Sequence, residues 1–109
     1  MLRVYAQTAK FPKEELFGLT AQARRAAVSI AANIAEGSAR NGDKEFARFI
    51  YISLGSASEL EYLFLLIADL GLLKRTDAAK LEANAVEIKR MLSGLIESLP
   101  IQRALAAES

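Results

Sequence analysis

From Lys44 to about Leu70 the residues Phe46, Phe49, Ile50, Ser53, Ala57, Leu60, Phe64, Ile67 and Ala68 recur at the 3.6-residue period of an α-helix, with no proline between them. A helix of that extent is a rod roughly 40 Å long at 1.5 Å per residue. One apolar face on such a rod must be covered by other rods of similar length. Nothing in the chain alternates with period two, so strands are not expected.

Three further helices are expected around it. Leu2 to Lys10 reads as a short helix ending at Phe11-Pro12, because proline disfavours helix at the residue before it. Lys13 to Gly18 reads as a turn or as one turn of helix. The second helix is expected from Thr20 as N-cap to Gly37 as the residue just past its end, with Leu19, Ala23, Ala26, Ala27, Ile30 and Ile34 as its apolar stripe. Ser38 to Gly42 is a loop by its Asn-Gly chemistry, and Asp43 is placed to cap the long third helix, which Gly71 stops. Thr76 or Asp77 should cap a fourth helix with the stripe Leu81, Ala85, Ile88, Leu92, Leu95, Ile96 and Leu99, ended by Pro100. Residues 101 to 109 are alanine-rich and expected to fray. Short connections make neighbours antiparallel, so residues 1 to 109 read as one domain, an all-α antiparallel up-and-down four-helix bundle with a short first helix.

With glycine counted in place of tyrosine, about 55% of the 109 residues are apolar, above the usual share for a soluble domain. The surplus points to a second apolar surface between subunits. Cysteine and histidine are both absent. That excludes disulfides, thiolate metal sites, Ser-His-Asp catalysis and the Glu-x-x-His ligand pairs of di-iron bundles. No carboxylate pair stands out from helical surface charge, since Glu59 and Glu61 point to different faces. No catalytic residue, metal or cofactor is therefore expected, and the class least supported is an enzyme. With no eighteen-residue apolar run and no signal peptide, the chain reads as cytoplasmic, without membrane contact.

Three polar residues interrupt the apolar stretch Ala26 to Gly37. Ser29, Asn33 and Glu36 fall at i, i+4 and i+7, on one helical stripe. Polar groups on a dry face need partners. They would find them in Arg48, Ser53, Ser56 or Glu59 of the facing helix, or across a subunit interface, where such groups fix register. Gly55-Ser56-Ala57-Ser58 is a patch of small residues in mid-helix, which places a helix crossing or a subunit contact at Gly55.

Net charge is only +1, but residues 1 to 48 hold 8 basic against 5 acidic residues. Arg24 and Arg25 precede the apolar core of the second helix, while Arg40, Lys44 and Arg48 gather near its far end. Each alone reads as solvated surface; repeated around an oligomer they would make a multivalent belt for phosphate. Among the aromatics, Phe46, Phe49 and Phe64 read as core, and Tyr51 and Tyr62 have the polar ends suited to an interface.

The segments Phe11-Pro12-Lys13-Glu14-Glu15, Gly18-Leu19-Thr20, Gln22, Arg24-Arg25-Ala26-Ala27, Ser29-Ile30, Asn33-Ile34-Ala35-Glu36-Gly37, Phe46-x-Arg48-Phe49 and Gly55-Ser56-x-x-Glu59-Leu60 occur in an order that resembles a known family. The chain is similar, over roughly Val4 to Leu99, to the four-helix-bundle proteins encoded in intervening sequences of bacterial 23S ribosomal RNA genes. The resemblance implies ring-like homopentamers with no established enzymatic activity. A related branch, the accessory variability proteins of diversity-generating retroelements, forms similar pentamers that bind a reverse transcriptase and nucleic acid. This chain has less of the first helix before Tyr5, and it is less basic than that branch.

Two functions are therefore expected in competition. One is a non-enzymatic homo-oligomer that contacts RNA through its first-half basic residues. The other is a scaffold that docks a larger protein and uses no nucleic acid.

Overall fold

A computed structural model describes residues 11–100 and Ala107. The described residues form three helices, α1 (Phe11–Ser38), α2 (Asp43–Asp69) and α3 (Arg75–Ser98), and no strand. The all-α expectation holds, whereas the structure shows three helices instead of the expected four. The short helix assigned to Leu2–Lys10 lies outside the described residues. Within them, Lys13 to Gly18 is helical and not a separate turn, and the N-cap at Thr20 is overturned: α1 runs unbroken through both. Leu16 and Leu19 continue the stripe of Ala23, Ala26 and Ile30 onto a neighbouring cluster, with Ala23 bordering both, and that burial outweighs roughly 1 kcal/mol of lost helix propensity at Gly18.

α2 lies in the middle, with α1 and α3 each packed on it and not on each other. Contacts along α1 descend as those along α2 ascend: Gly37 meets Phe49, Ile30 meets Ser53 and Ser29 meets Ser56. The two helices are thus antiparallel, as a four-residue connection requires. Ala26 and Ile30 of α1, Ile50, Ala57 and Leu60 of α2, and Leu92 and Ile96 of α3 make the main core. A second cluster, Leu19, Leu63, Ile67 and Leu72, closes the end where α2 turns into α3.

Local chemistry explains the ends. Gly71 takes a left-handed φ of 71°, its N–H donates to the Ala68 carbonyl at 3.0 Å, and Leu72 N–H donates to the Ile67 carbonyl at 3.1 Å. This paired arrangement satisfies carbonyls at the end of α2 and turns Leu72 back onto Ile67, so Gly71 stops the helix as expected. Leu99 is extended at ψ 139° before Pro100, which ends α3 where the sequence places it. The N-caps differ from expectation. Gly42, at φ 94°, caps α2 with no side-chain bond, and Asp43 is the first helical residue. The Asn41-Gly42 turn needs a left-handed residue there, and Asp43 instead sits in the first turn, where its charge suits the helix dipole. Lys74 rather than Thr76 or Asp77 caps α3, leaving Asp77 in its first turn.

Gly37 is a third difference. It does not follow α1 but lies inside its last turn, buried. A Cβ built there would stand 2.8 Å from the Phe49 Cβ. Its smallness serves the approach of α2.

Among the described residues α2 is long and apolar enough to cross a membrane by length and composition. Its apolar residues divide between the core just described and an exposed face.

Candidate functional site

The polar stripe of α1 reaches α2 at one point. The hydroxyls of Ser29 and Ser56 lie 2.7 Å apart, across the antiparallel pair. Asn33 donates its amide to the Ser29 carbonyl at 2.8 Å and to the Ser29 hydroxyl at 3.1 Å, bonding back within its own helix. Glu36, in the last turn of α1, is exposed and takes a 2.6 Å ion pair from Arg40. Glu59 is exposed on α2. The stripe therefore divides into an interhelical bond, an intrahelical bond and a surface ion pair. Ser53, fully buried, donates to the Ile30 carbonyl at 2.9 Å. It is polar only in composition, since its hydroxyl is spent on the neighbouring backbone.

Arg40, Lys44 and Arg48 gather where α1 turns into α2. Arg48 Nε donates to Glu45 at 3.1 Å. The guanidiniums of Arg40 and Arg48 both stand over the Phe49 ring, 5.3 and 4.4 Å from its centroid. Phe49 is itself held against Gly37, so one aromatic ring positions both cations. The Arg48 hydrogen bond, with the charges of Arg48, Arg40 and Lys44, holds the Glu45 carboxyl below the ordinary glutamate value of 4.5. Glu36, Asp43 and Glu45 offset the three bases in this cluster. Arg24 and Arg25 are exposed on α1, about 20 Å of helix before its end at Ser38, and do not join the cluster.

A third surface lies on the outer side of α2. Tyr51, Gly55, Ser58, Tyr62 and Leu65 are spaced four, three, four and three residues apart, and all are exposed. Alternating steps of four and three are the spacing at which a helix presents one seam to a partner helix. Tyr62 is 61% exposed and Leu65 40%, with Ile52 beside the seam at 41%. A Cβ at Gly55 would have nothing within 4 Å among the described residues, so neither α1 nor α3 crosses there. Of the seam, the sequence singled out Gly55 and Ser58, in the patch of small residues, and the two tyrosines; Leu65 escaped it because its spacing was read only for the buried face.

Among the described residues, no group of three or more Asp and Glu side chains is placed to hold a metal ion. A family model for the 23S rRNA-intervening sequence protein matches residues 1–94. No curated protein and no solved structure matches the chain.

Proposed function

From a chain that belongs to the 23S rRNA-intervening sequence protein family, we propose a protein that works by assembly rather than by catalysis. Copies associate through the outer seam of α2, in a closed ring of five as the resemblance implies, and the ring presents its basic residues to RNA. The observation that carries this reading is the seam itself. Tyr51, Tyr62 and Leu65 leave apolar area in solvent along a single line, opened by Gly55 between the two tyrosines. Such a contiguous patch on a small domain marks an interaction site, and small residues at its centre let a second helix approach closely.

A non-catalytic role is supported by the composition, which has no histidine or cysteine. The cytoplasm, away from membranes, is the location this reading assigns, because α2 carries Glu59 and Glu61 near its middle and Glu61 is tied to Lys89 of α3 at 2.8 Å. The RNA contact is assigned to Arg40, Lys44 and Arg48, with Arg24 and Arg25 as a separate pair. A second reading is favoured by the ion pairs Arg40–Glu36 and Arg48–Glu45. They neutralise the cluster locally, which suits a scaffold that docks a protein without nucleic acid.

Native mass measurement on the wild type and on Tyr62→Glu tests the assembly. A defined oligomer that falls to monomer in the variant, with helicity retained, is expected; a monomeric wild type would sink the reading. RNA binding titrated with salt then separates the two roles, since phosphate contacts weaken steeply as salt rises.

A further inference from the structure

The polar stripe of α1 runs on past Ser29 toward the start of the helix. Gln22, Ser29 and Asn33 fall at i, i+7 and i+11, and Ser56 meets them from α2. Ile52 and Glu59 flank Ser56 on its own helix, roughly opposite Glu61, which reaches Lys89 of α3. These six residues therefore line the edge of the α1–α2 contact that faces away from α3. Hydrogen bonding along this edge is incomplete. Asn33 makes both its bonds from the amide nitrogen, so its side-chain carbonyl has no donor among the described residues. Of the Ser29 and Ser56 hydroxyls one accepts from the other, and the accepting one keeps a proton with no acceptor among those residues. Gln22 and Glu59 are exposed and hold no hydrogen bond or ion pair among them. Ile52 adds apolar surface at 41% exposure.

We propose that this polar edge is the surface that receives the tyrosine seam of the next copy. The inference rests on the reading that copies close into a ring through the seam, and it names the surface on the other side of that contact. A single ring of five has no two-fold axis between neighbours, so the seam cannot meet itself and each contact joins two different surfaces. The angle between the two surfaces fits. Ile52 and Glu59 each follow a seam residue, Tyr51 and Ser58, by one step, which turns the surface about 100° around α2. The two contact faces of a subunit in a five-membered ring diverge by about 110°.

The heights fit as well. Ring symmetry relates copies by rotation alone, so with the helices along the ring axis a seam residue meets the next copy at its own level. Counted from Ser29 beside Ser56 in the antiparallel pair, Gln22 is level with Leu63 and Asn33 with Ile52. Tyr62 therefore arrives between Gln22 and Glu59 of the next copy, whose side-chain oxygens accept its phenol proton. Gly55 arrives at the level of the Ser29–Ser56 pair, where a residue without a side chain lets the helices approach. The outer face of α3 is the worse candidate, because Arg90 there is already paired with Glu87 at 2.9 Å.

The chain has no cysteine, so introduced thiols report without background. Leu65→Cys on the seam and Gln22→Cys on the polar edge, both at exposed positions, are combined in one full-length chain and treated with a short bis-maleimide. The expected result is a covalent ladder on a denaturing gel that climbs past the dimer, with at least about tenfold less cross-linking in either single variant, the ratio set by local effective concentration. Efficient dimer formation by Leu65→Cys alone would overturn the proposal, since the seam would then be meeting itself. A defined oligomer by native mass whose double variant gives no ladder would also overturn it, and would leave the seam with another counterpart. A monomeric native mass would remove the ring together with its second surface.

Discussion

Gly37 and Phe49 stand so close that a methyl group on Gly37 would lie 2.8 Å from the Phe49 Cβ and 3.3 Å from the Phe46 ring. The atom it would meet is fixed to the α2 backbone, so no rotation of a flexible side chain relieves the contact. Gly37→Ala should therefore destabilise by about 1–3 kcal/mol, even though alanine is the better helix former, because α2 must move. For a domain of this size each kcal/mol corresponds to roughly 4–8 °C in Tm, which thermal unfolding by circular dichroism will read. A Tm equal to or above wild type would show that the approach is not tight.

Gly55 and Gly94 give the opposite case. Neither would place a Cβ within 4 Å of any other described residue. Gly94→Ala should stabilise by about 0.5–1 kcal/mol through the unfolded state and helix propensity alone. Gly55→Ala should give the same gain in the isolated chain and weaken the assembly, because the added methyl lies at the centre of the seam. Native mass against concentration, measured for both variants, distinguishes them; identical dissociation curves would remove Gly55 from the interface.

How much of this was legible in the sequence depends on whether the deciding interaction was local. α2 and α3 were placed within a residue or two at most ends, because Gly71 and Pro100 act on their own neighbours and the 3.6 period is uninterrupted between them. α1 was cut short, since Pro12 and Gly18 are local signals that tertiary burial of Leu16 and Leu19 overrides. Gly37 looked like a helix end because its actual role depends on Phe49, a residue on another helix. Glu36 shares a stripe with Ser29 and Asn33, but the stripe runs along the edge of the α1–α2 contact and leaves it within the last turn. Periodicity gives the side of a helix. It does not give where the neighbour stops.

The Ser29–Ser56 bond should be worth about 1 kcal/mol, as for a neutral pair that is only partly buried. Ser29→Ala removes that bond and one of the two acceptors of Asn33, whereas Ser56→Ala removes the first alone. Ser29→Ala should cost more, and the double variant should cost less than the two singles added. Urea unfolding of the four proteins closes the cycle, and strict additivity would mean that the hydroxyls do not interact.

Glu45 supplies a pH prediction. Its carboxyl is held below 4.5 by Arg48 first, through the hydrogen bond, and by the surrounding charges of Arg40 and Lys44. A depressed folded value stabilises the folded state above the unfolded value and loses that contribution as pH falls through the folded value. The loss is therefore confined to acid below about 4.5, and salt should diminish it because the pair is exposed. Carbon-detected NMR titration should show Glu45 titrating below its ordinary value and returning toward it in Arg48→Gln. No movement in that variant would assign the shift to another cause.

The same ion pairs decide between an RNA-contacting ring and a protein-docking scaffold. Arg40 and Arg48 are held over Phe49 with their charges offset by Glu36 and Glu45. Glu36→Gln with Glu45→Gln leaves both guanidiniums stacked on the ring and frees their charge. If this end of the bundle meets RNA, the double variant should bind single-stranded RNA more tightly, and the slope of log K against log salt should steepen by about 0.7 for each new phosphate contact, or about 1.4 for two. Lys44→Gln should act in the reverse direction by about one contact. Unchanged affinity and slope in both variants would leave the scaffold reading, in which these cations hold the turn between α1 and α2 and reach no phosphate.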